Sequence, residues 1–535
     1  MRIGLDFDNT IACYDELFVA EAKKSGLVVN SWKGNKSDIK RLISKVDESQ
    51  LKWQKLQGKV YGPIMHKAKL FPGVARFLLR CKSLGYEVYI VSHKTKYGHF
   101  DKTKTLLRDA ALNWMEANGF FKPNKFGLVK KNVFFANTQS EKVNKIQSLQ
   151  LDFFVDDLEE IFLHYEFPNI KKILFSNQLS TKSNSKIYTN WTDIEINILG
   201  EITNKEKKNL ISYFYDGEVE NIEEIKGRGN SRVSRVSTYE KNSYLLKQYP
   251  DLLLDERPRL ETEINALDLI KSLKKTPKVI AFDKNLNFAL YEWIEGESVF
   301  KIEDQHIDQA LIFIESLHKL SKESSFSLAC ESCLSANELF NQINFRLDKL
   351  LMVEHSDLKD FLVNEFMPLL DKVWQSSKQE WPNENFEKDL PKSMQFLSPS
   401  DFGFHNSILR TNGELKFIDF EYFGFDDPVK LIADFIWHPG MKLSDFQKKY
   451  WTNSAISIFD TDISIKKRFK AAWPLYGMRW SLILLNEFLK DGWTRRSYAN
   501  KYLKHNLEKT LDGQFIKSKS ICDEIKLANY KFPYV

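Results

Sequence analysis

The sequence predicts two domains of different construction: an open α/β domain with a parallel Rossmann-like sheet and a small helical insertion, then a two-lobed α+β domain. Three observations lead there. Short, fully apolar runs alternate with helical patterns through the first 200 residues, as a parallel sheet covered on both faces requires. The rhythm stops at TNKEKKNL, residues 203–210, a polar and linker-like run. Beyond it, a strand-rich stretch reaching about residue 300 gives way to mainly helical periodicity.

The chain has 535 residues, room for about three or four folding units at roughly 150 residues each. Its 43% hydrophobic and 13% aromatic residues supply packed cores and exclude a disordered chain, even with 28% charge. Lys and Arg number 78 against 72 Asp and Glu, and the resulting +6 is too small and too dispersed for a nucleic-acid-binding surface. Five scattered cysteines do not make a disulfide framework. The start MRIGLDFDNT has no apolar signal core, and no run of about 18 apolar residues provides a membrane span. A cytoplasmic protein without nucleic-acid partners is expected.

Residues 3–5, IGL, form a short buried run that ends in DFDNT. Residues 14 to about 70 are polar, Lys-rich and helical in flavour, an insertion after the first strand. In VARFLLRCKSL, Val74, Phe77, Leu78, Cys81 and Leu84 share one helical face, with Gly85 as a stop. EVYIVS at 87–92, NVFFA at 132–136, LDFFV at 151–155 and KKILF at 171–175 read as strands, and a helix with Val143, Ile146 and Leu149 falls between two of them. These assignments place the first domain at 1–200, a linker at 201–220 and the second domain at 221–535. In the latter, IKGRGNSRVSRVS and NSYLLKQY read as strands around a Gly-containing turn. Leu260, Ile264, Leu267 and Ile270 then mark a helix.

Asp6 and Asp8 leave the C-terminal end of the first strand, the edge at which open α/β sheets bind ligands. Carboxylates this close repel one another unless a divalent cation such as Mg²⁺ lies between them. Asp156 and Asp157 end a later strand, Ser92 ends another, and Lys142 opens a helix. In this order the four motifs resemble the haloacid dehalogenase-like phosphatase superfamily over about residues 1–195. The resemblance implies that Asp6 is the nucleophile and forms an aspartyl phosphate, and that Asp8 is the acid and then the base. It also implies that Ser92 and Lys142 hold phosphoryl oxygens, and that Asp6, the Asp8 carbonyl and Asp156 ligate Mg²⁺. The insertion is then a small cap over a small phosphorylated metabolite. Lys145 is an alternative to Lys142, which is preferred for its place in the first helical turn.

In the second half, Lys247 lies within the strand YLLKQY, where a lone cation is costly to bury, and Glu263 on the next helix is a natural partner. Asp401 and Asn406 have the D-x-x-x-x-N spacing of kinase catalytic loops, and Asp419 follows the apolar run LKFI. This half resembles the aminoglycoside-phosphotransferase and choline-kinase branch of the protein-kinase-like fold. The resemblance implies ATP as donor, Lys247 on its phosphates paired with Glu263, Asp401 as proton acceptor of a small hydroxyl-bearing substrate, and Asn406 and Asp419 on Mg²⁺. GRGNS at 227–231, with Asn230 and Ser231, would cover the phosphates, and LYEWIEG at 290–296, with Glu292, would meet the purine. Pro399 and Ser400 stand where that family usually has His-Gly. A nucleotide sensor that regulates the phosphatase without transferring phosphate is the alternative reading.

Other signals read as structural. Cys330 and Cys333 lack a second ligand pair for zinc, and His318 sits in an apolar helical pattern. Trp437, Trp473, Trp480 and Trp493 suit core packing better than a cage for a cationic amino alcohol. The cap lysines Lys23, Lys24, Lys33, Lys36 and Lys40 serve equally as a solvated face or as an attractor of phosphorylated substrates.

Overall fold

This computed structural model describes all residues except 46–47, 99–103, 179, 226–230, 383–384, 491, 494–506 and 534–535. The chain forms two compact units, Met1–Ile222 with Asp251–Leu254, and Glu223–Pro250 with Asp255–Val535.

The first unit is built on a six-stranded sheet in the order Val133–Ala136, Glu87–His93, Arg2–Leu5, Phe153–Asp156, Lys171–Phe175, Lys186–Tyr188. Every pairing is parallel. Chain order reverses about the central strand Arg2–Leu5, so the carboxyl ends of this strand and of Phe153–Asp156 flank the switch point where such sheets bind ligands. The continuous apolar runs follow from burial on both faces: Ile3, Leu5, Val91, Phe154 and Val155 are inaccessible to solvent. A short antiparallel ladder pairs Ala12–Cys13 with Lys69–Leu70 and closes off the insertion. Within it lie the helices Asp15–Lys24, Lys36–Ile43 and Ser49–Tyr61, the first and third joined by the stack of Phe18 on Trp53.

The helix Val74–Ser83 buries Arg76 and Arg80 together with its apolar face. Glu195 accepts from Arg76 Nε and Arg80 Nη1, both at 2.8 Å, and Glu206 accepts from Arg80 Nε at 2.9 Å. The Asp251 carboxylate accepts from both terminal nitrogens of Arg76, at 3.1 and 2.9 Å. Glu206 belongs to the run expected as a linker, which is instead the helix Asn204–Ile211, with a capping box between Thr203 and Glu206. Glu206 is partnered by Arg80 and Thr203, and so a polar composition there does not make an extended connector.

In the second half a five-stranded sheet runs in the order Val279–Asp283, Phe288–Glu292, Ser243–Gln248, Arg232–Thr238, Val219–Ile225, and the helix Arg259–Ile270 follows its third strand in sequence. Helices then dominate, among them Asp304–Ser321, Ala336–Leu351, Pro428–Trp437 and Ile465–Leu484. Two short ladders bracket the polar motifs: Phe396–Ser398 with Gly424–Asp426, and Ser407–Leu409 with Leu415–Phe417. Among the described residues no helix is long and apolar enough to cross a membrane.

Candidate active sites

At the switch point of the first unit, Lys142 lies in the first turn of the helix Gln139–Ser148, whose N-cap is Thr138. Its Nζ donates to Asp6 Oδ1 and Asp156 Oδ2, both at 2.6 Å, and all three side chains are buried. Burial disfavours the lysine's charge, but the two carboxylates outweigh it and hold the ammonium above its usual range. Burial, with Asp156 and Asp157 beside it, drives the Asp6 carboxyl well above the usual range despite Lys142. Asp157 is pushed up to about 7 by burial and by Asp156.

Carboxylate oxygens of Asp6, Asp156 and Asp157 lie within 4.8 Å of one another, an all-oxygen set that fits a hard divalent cation. Among the described residues, Ser92 Oγ and Thr10 Oγ1 are buried without hydrogen-bond partners. Such orphaned hydroxyls suit an oxygen-rich ligand, since leaving them unpaired is costly. Lys145 points elsewhere, with Nζ 3.8 Å from the centre of the Phe134 ring.

Two neighbours, Lys94 and Tyr14, escaped the sequence reading. Lys94 Nζ donates to both oxygens of Asp8, at 2.8 and 2.7 Å, and Tyr14 donates to Asp8 Oδ1 at 2.6 Å. Of the cap lysines singled out above, Lys36 turns inward to Asn9 Oδ1 at 2.5 Å, over the ring of Phe18. Lys94 stands two residues beyond Ser92, a position that its strand's register could have flagged. Nothing in the sequence separates Lys36 from the other cap lysines.

In the second unit, Lys247 Nζ donates at 2.6 Å to Glu263 Oε2 and to Asp419 Oδ1, with Glu421 Oε2 at 3.3 Å. Burial works against the ammonium, yet the three carboxylates raise it well above its usual range. Glu263 is fixed in turn by the Tyr249 hydroxyl at 2.6 Å and the Phe420 N–H at 3.3 Å. Oxygens of Glu263, Asp419 and Glu421 also fall within 4.8 Å of one another, so the geometry adds Glu421 to the carboxylates foreseen. Asn406 Nδ2 donates to the Asp401 carbonyl at 3.0 Å.

Asp401 Oδ1 meets His405 Nε2 at 2.9 Å and His438 Nε2 at 3.9 Å, with the two imidazoles stacked 3.6 Å apart. Burial opposes ionisation of Asp401, but the His405 hydrogen bond and both rings hold it below the usual carboxylate range. His438 is pushed down to about 3, by burial first and then by His405. Its Nδ1 accepts from the Gly440 N–H at 3.0 Å, so Nε2 carries the proton.

The Pro399–Ser400 departure has a local solution. Ser400 adopts a left-handed φ of 65°, its N–H donates to Ser398 Oγ, and its Oγ donates to the Tyr422 carbonyl, both at 3.1 Å. Asn230 lies outside the described residues. Ser231 is buried and donates to Glu421 Oε2 at 3.3 Å. The Glu292 carboxylate accepts from the Lys278 N–H at 3.1 Å. Cys330 and Cys333 are free thiols, His318 packs on Phe459, and Trp437 and Trp473 are core residues.

Residues 221–451, which include Lys247, Glu263, Asp401, Asn406 and Asp419, match the phosphotransferase enzyme family. In its N-terminal part the chain is 26% identical over 162 residues to an Oceanobacillus iheyensis protein described as a candidate nucleotidase; these cover 29% of this chain and 77% of that protein. Among solved structures, a choline kinase from Streptococcus pneumoniae is 16% identical with a TM-score of 0.40, covering 57% of this chain and 94% of that one. A choline/ethanolamine kinase family protein from Mesorhizobium loti is 15% identical with a TM-score of 0.37, covering 58% and 91%.

Proposed function

We propose that the chain is a bifunctional cytoplasmic enzyme, a phosphatase of haloacid dehalogenase type joined to an ATP-dependent kinase for small hydroxyl-bearing molecules. The observation that carries the reading is the pair of buried lysines, Lys142 and Lys247, each ion-paired at 2.6 Å to two carboxylates on separate elements. The family match of the second half supports the kinase, and the nucleotidase-named relative supports the phosphatase.

In the first site the Asp6 carboxylate attacks phosphorus and becomes an aspartyl phosphate, while Asp8 protonates the departing oxygen. Asp8 then takes a proton from the water that releases phosphate. Lys142, Ser92 and the Thr10 hydroxyl hold the phosphoryl oxygens. Asp6, the Asp8 carbonyl and Asp156 would hold Mg²⁺, which offsets the charge of those oxygens. In the second site Lys247, fixed by Glu263, holds nucleotide phosphates, and Asn230 and Ser231 cover them. Glu292 belongs to the segment beside the purine. Asp401 accepts the acceptor's hydroxyl proton, and Asn406 and Asp419 would hold Mg²⁺ on the nucleotide.

Acting on one phosphate, the two sites would only consume ATP. They therefore act at different positions or on successive intermediates, as when a sugar or polyol is prepared for activation in envelope polysaccharide synthesis. The test compares wild type, Asp6→Asn and Asp401→Asn with ATP, Mg²⁺ and a pool of sugars, polyols, amino alcohols and their phosphates, read by mass spectrometry. Asp6→Asn should accumulate a phosphorylated species, and Asp401→Asn should only release phosphate. ATP binding with no acceptor phosphorylated would replace the kinase by a nucleotide sensor.

A further inference from the structure

Contacts around Asp401 close into a circuit. His438 Nε2 faces Asp401 at 3.9 Å, and the His438 ring meets Trp480 edge-on at 4.9 Å. Trp480 Nε1 donates to Asp434 Oδ1 at 2.7 Å, and Asp434 Oδ2 lies 3.7 Å from Arg479 Nη1. Arg479 Nη2 donates to Glu331 Oε2 at 2.9 Å, an oxygen shared with Arg346. The preceding residue, Cys330, donates its N–H to the Tyr422 carbonyl at 3.3 Å, the same oxygen that anchors Ser400 beside Asp401. Arg257 covers the Tyr422 ring at 5.3 Å.

Two guanidiniums converge on one carboxylate here: Glu331 is shared by Arg346 and Arg479. The neighbouring cations have their own partners, Lys430 with Asp426 at 2.9 Å and Arg257 with Asp255 at 2.7 Å. Arg479 is 95% buried, its side chain only 5% exposed, and its Nε has no partner among the described residues. Burial, with Arg479 and Arg257 as like-charged neighbours, lowers the Arg346 guanidinium from its usual range despite Glu331. Glu331 is held at a left-handed φ of 55° and is 40% exposed. Two guanidiniums that share one carboxylate, one of them buried with an unfilled Nε, keep donors for a further anionic group, and the guanidinium fork matches phosphate and carboxylate best. An aromatic cage for a cation is not formed by Trp437 and Trp473, which are buried in the core.

We infer that the kinase acceptor carries an anionic group, a phosphate or a carboxylate, which Arg346 and Arg479 bind while its hydroxyl faces Asp401. The inference rests on the kinase reading above and names its substrate class. In the transfer, the acceptor hydroxyl gives its proton to Asp401 as its oxygen bonds to the γ-phosphorus of ATP. The bond from that phosphorus to the bridging oxygen breaks, and ADP leaves. A phosphorylated acceptor would yield a product with two phosphates, leaving one at another position for a phosphatase to remove.

The test uses the full-length Asp6→Asn chain, so that the first half does not strip phosphate, with ATP and Mg²⁺. Neutral sugars and polyols, their monophosphates, their carboxylic acids and amino alcohols serve as acceptors. Monophosphates or acids should give the highest kcat/KM, and the better of the two identifies the anion. In that background Arg346→Gln should raise the acceptor KM about tenfold, as expected for a lost charge-assisted bond, with the KM for ATP unchanged and partial recovery in Arg346→Lys. A purely structural arginine would lower the melting temperature without separating the two KM values. Preference for neutral or cationic acceptors overturns the inference, also if Arg346→Gln does not fold, because the panel needs no arginine variant. If no acceptor of any charge gains phosphate, the kinase reading itself falls, and the inference with it.

Discussion

Replacing Lys142 by methionine would remove one buried charge while keeping most of its volume. Two carboxylates, Asp6 and Asp156, each receive a hydrogen bond of 2.6 Å from it. At an effective dielectric of about 20, unit charges at that separation attract by about 6 kcal/mol, before the desolvation that the ions have already undergone. Removing one partner of a buried ion pair therefore costs about 3–5 kcal/mol net, because uncompensated carboxylates stay behind. For a unit of this size each kcal/mol is worth about 2–4 °C, so its unfolding transition should fall by about 6–20 °C. Differential scanning calorimetry of wild type and Lys142→Met, with and without millimolar Mg²⁺, measures this. Mg²⁺ should recover part of the loss, since a cation beside Asp6 and Asp156 restores the missing charge. A loss below about 1 kcal/mol without Mg²⁺ would show that Lys142 does not neutralise this centre.

Lys145→Ala should leave phosphatase activity within about twofold of wild type, as for a position away from the site; a steady-state assay checks it. Ser400→Gly relieves about 1 kcal/mol of left-handed strain and forfeits about 1 kcal/mol from the bond to Tyr422, so its urea midpoint should barely move. Ser400→Ala keeps the strain, loses the bond and should unfold about 1 kcal/mol more easily. Burial raises the Glu206 carboxyl, but Arg80 and Thr203 more than offset this and lower it overall. A depressed carboxyl stabilises the fold above its unfolded pKa of about 4.3, and that contribution is lost as pH falls through its folded value. Glu206→Gln should thus be about 3 kcal/mol less stable at pH 7, and thermal melts should show the gap closing below about pH 4.

Residues that a strand end presents directly were legible in the sequence: Asp6, Asp8, Ser92 and Asp156 leave apolar runs at their carboxyl ends, and chain order alone put those ends side by side. Lys142 and Lys247 were legible because a lysine in an apolar context demands partners. Glu421, His405 and His438 were not, since their importance lies in which oxygens they reach. Asp401 and His438 are separated by a turn, a hairpin and a helix, and no local pattern encodes that approach. Arg76 and Arg80 were not legible either, being polar positions in a helix that is buried nearly all round. The helix Asn204–Ile211 was within reach, because Thr203 and Glu206 have the capping-box spacing, but its lysine content suggested a connector.

The first unit does not end where its own run of sequence ends. It takes back Asp251–Leu254 after the second has begun, and with them Asp251, one of the two carboxylates that neutralise Arg76. A stop codon after Ile222 would produce a polypeptide whose buried Arg76 guanidinium loses the Asp251 carboxylate and keeps that of Glu195. Splitting such a gene into two reading frames would therefore require a compensating substitution near Arg76. The coding sequence is in this respect no bead on a string: one of its halves is spelled out in two places.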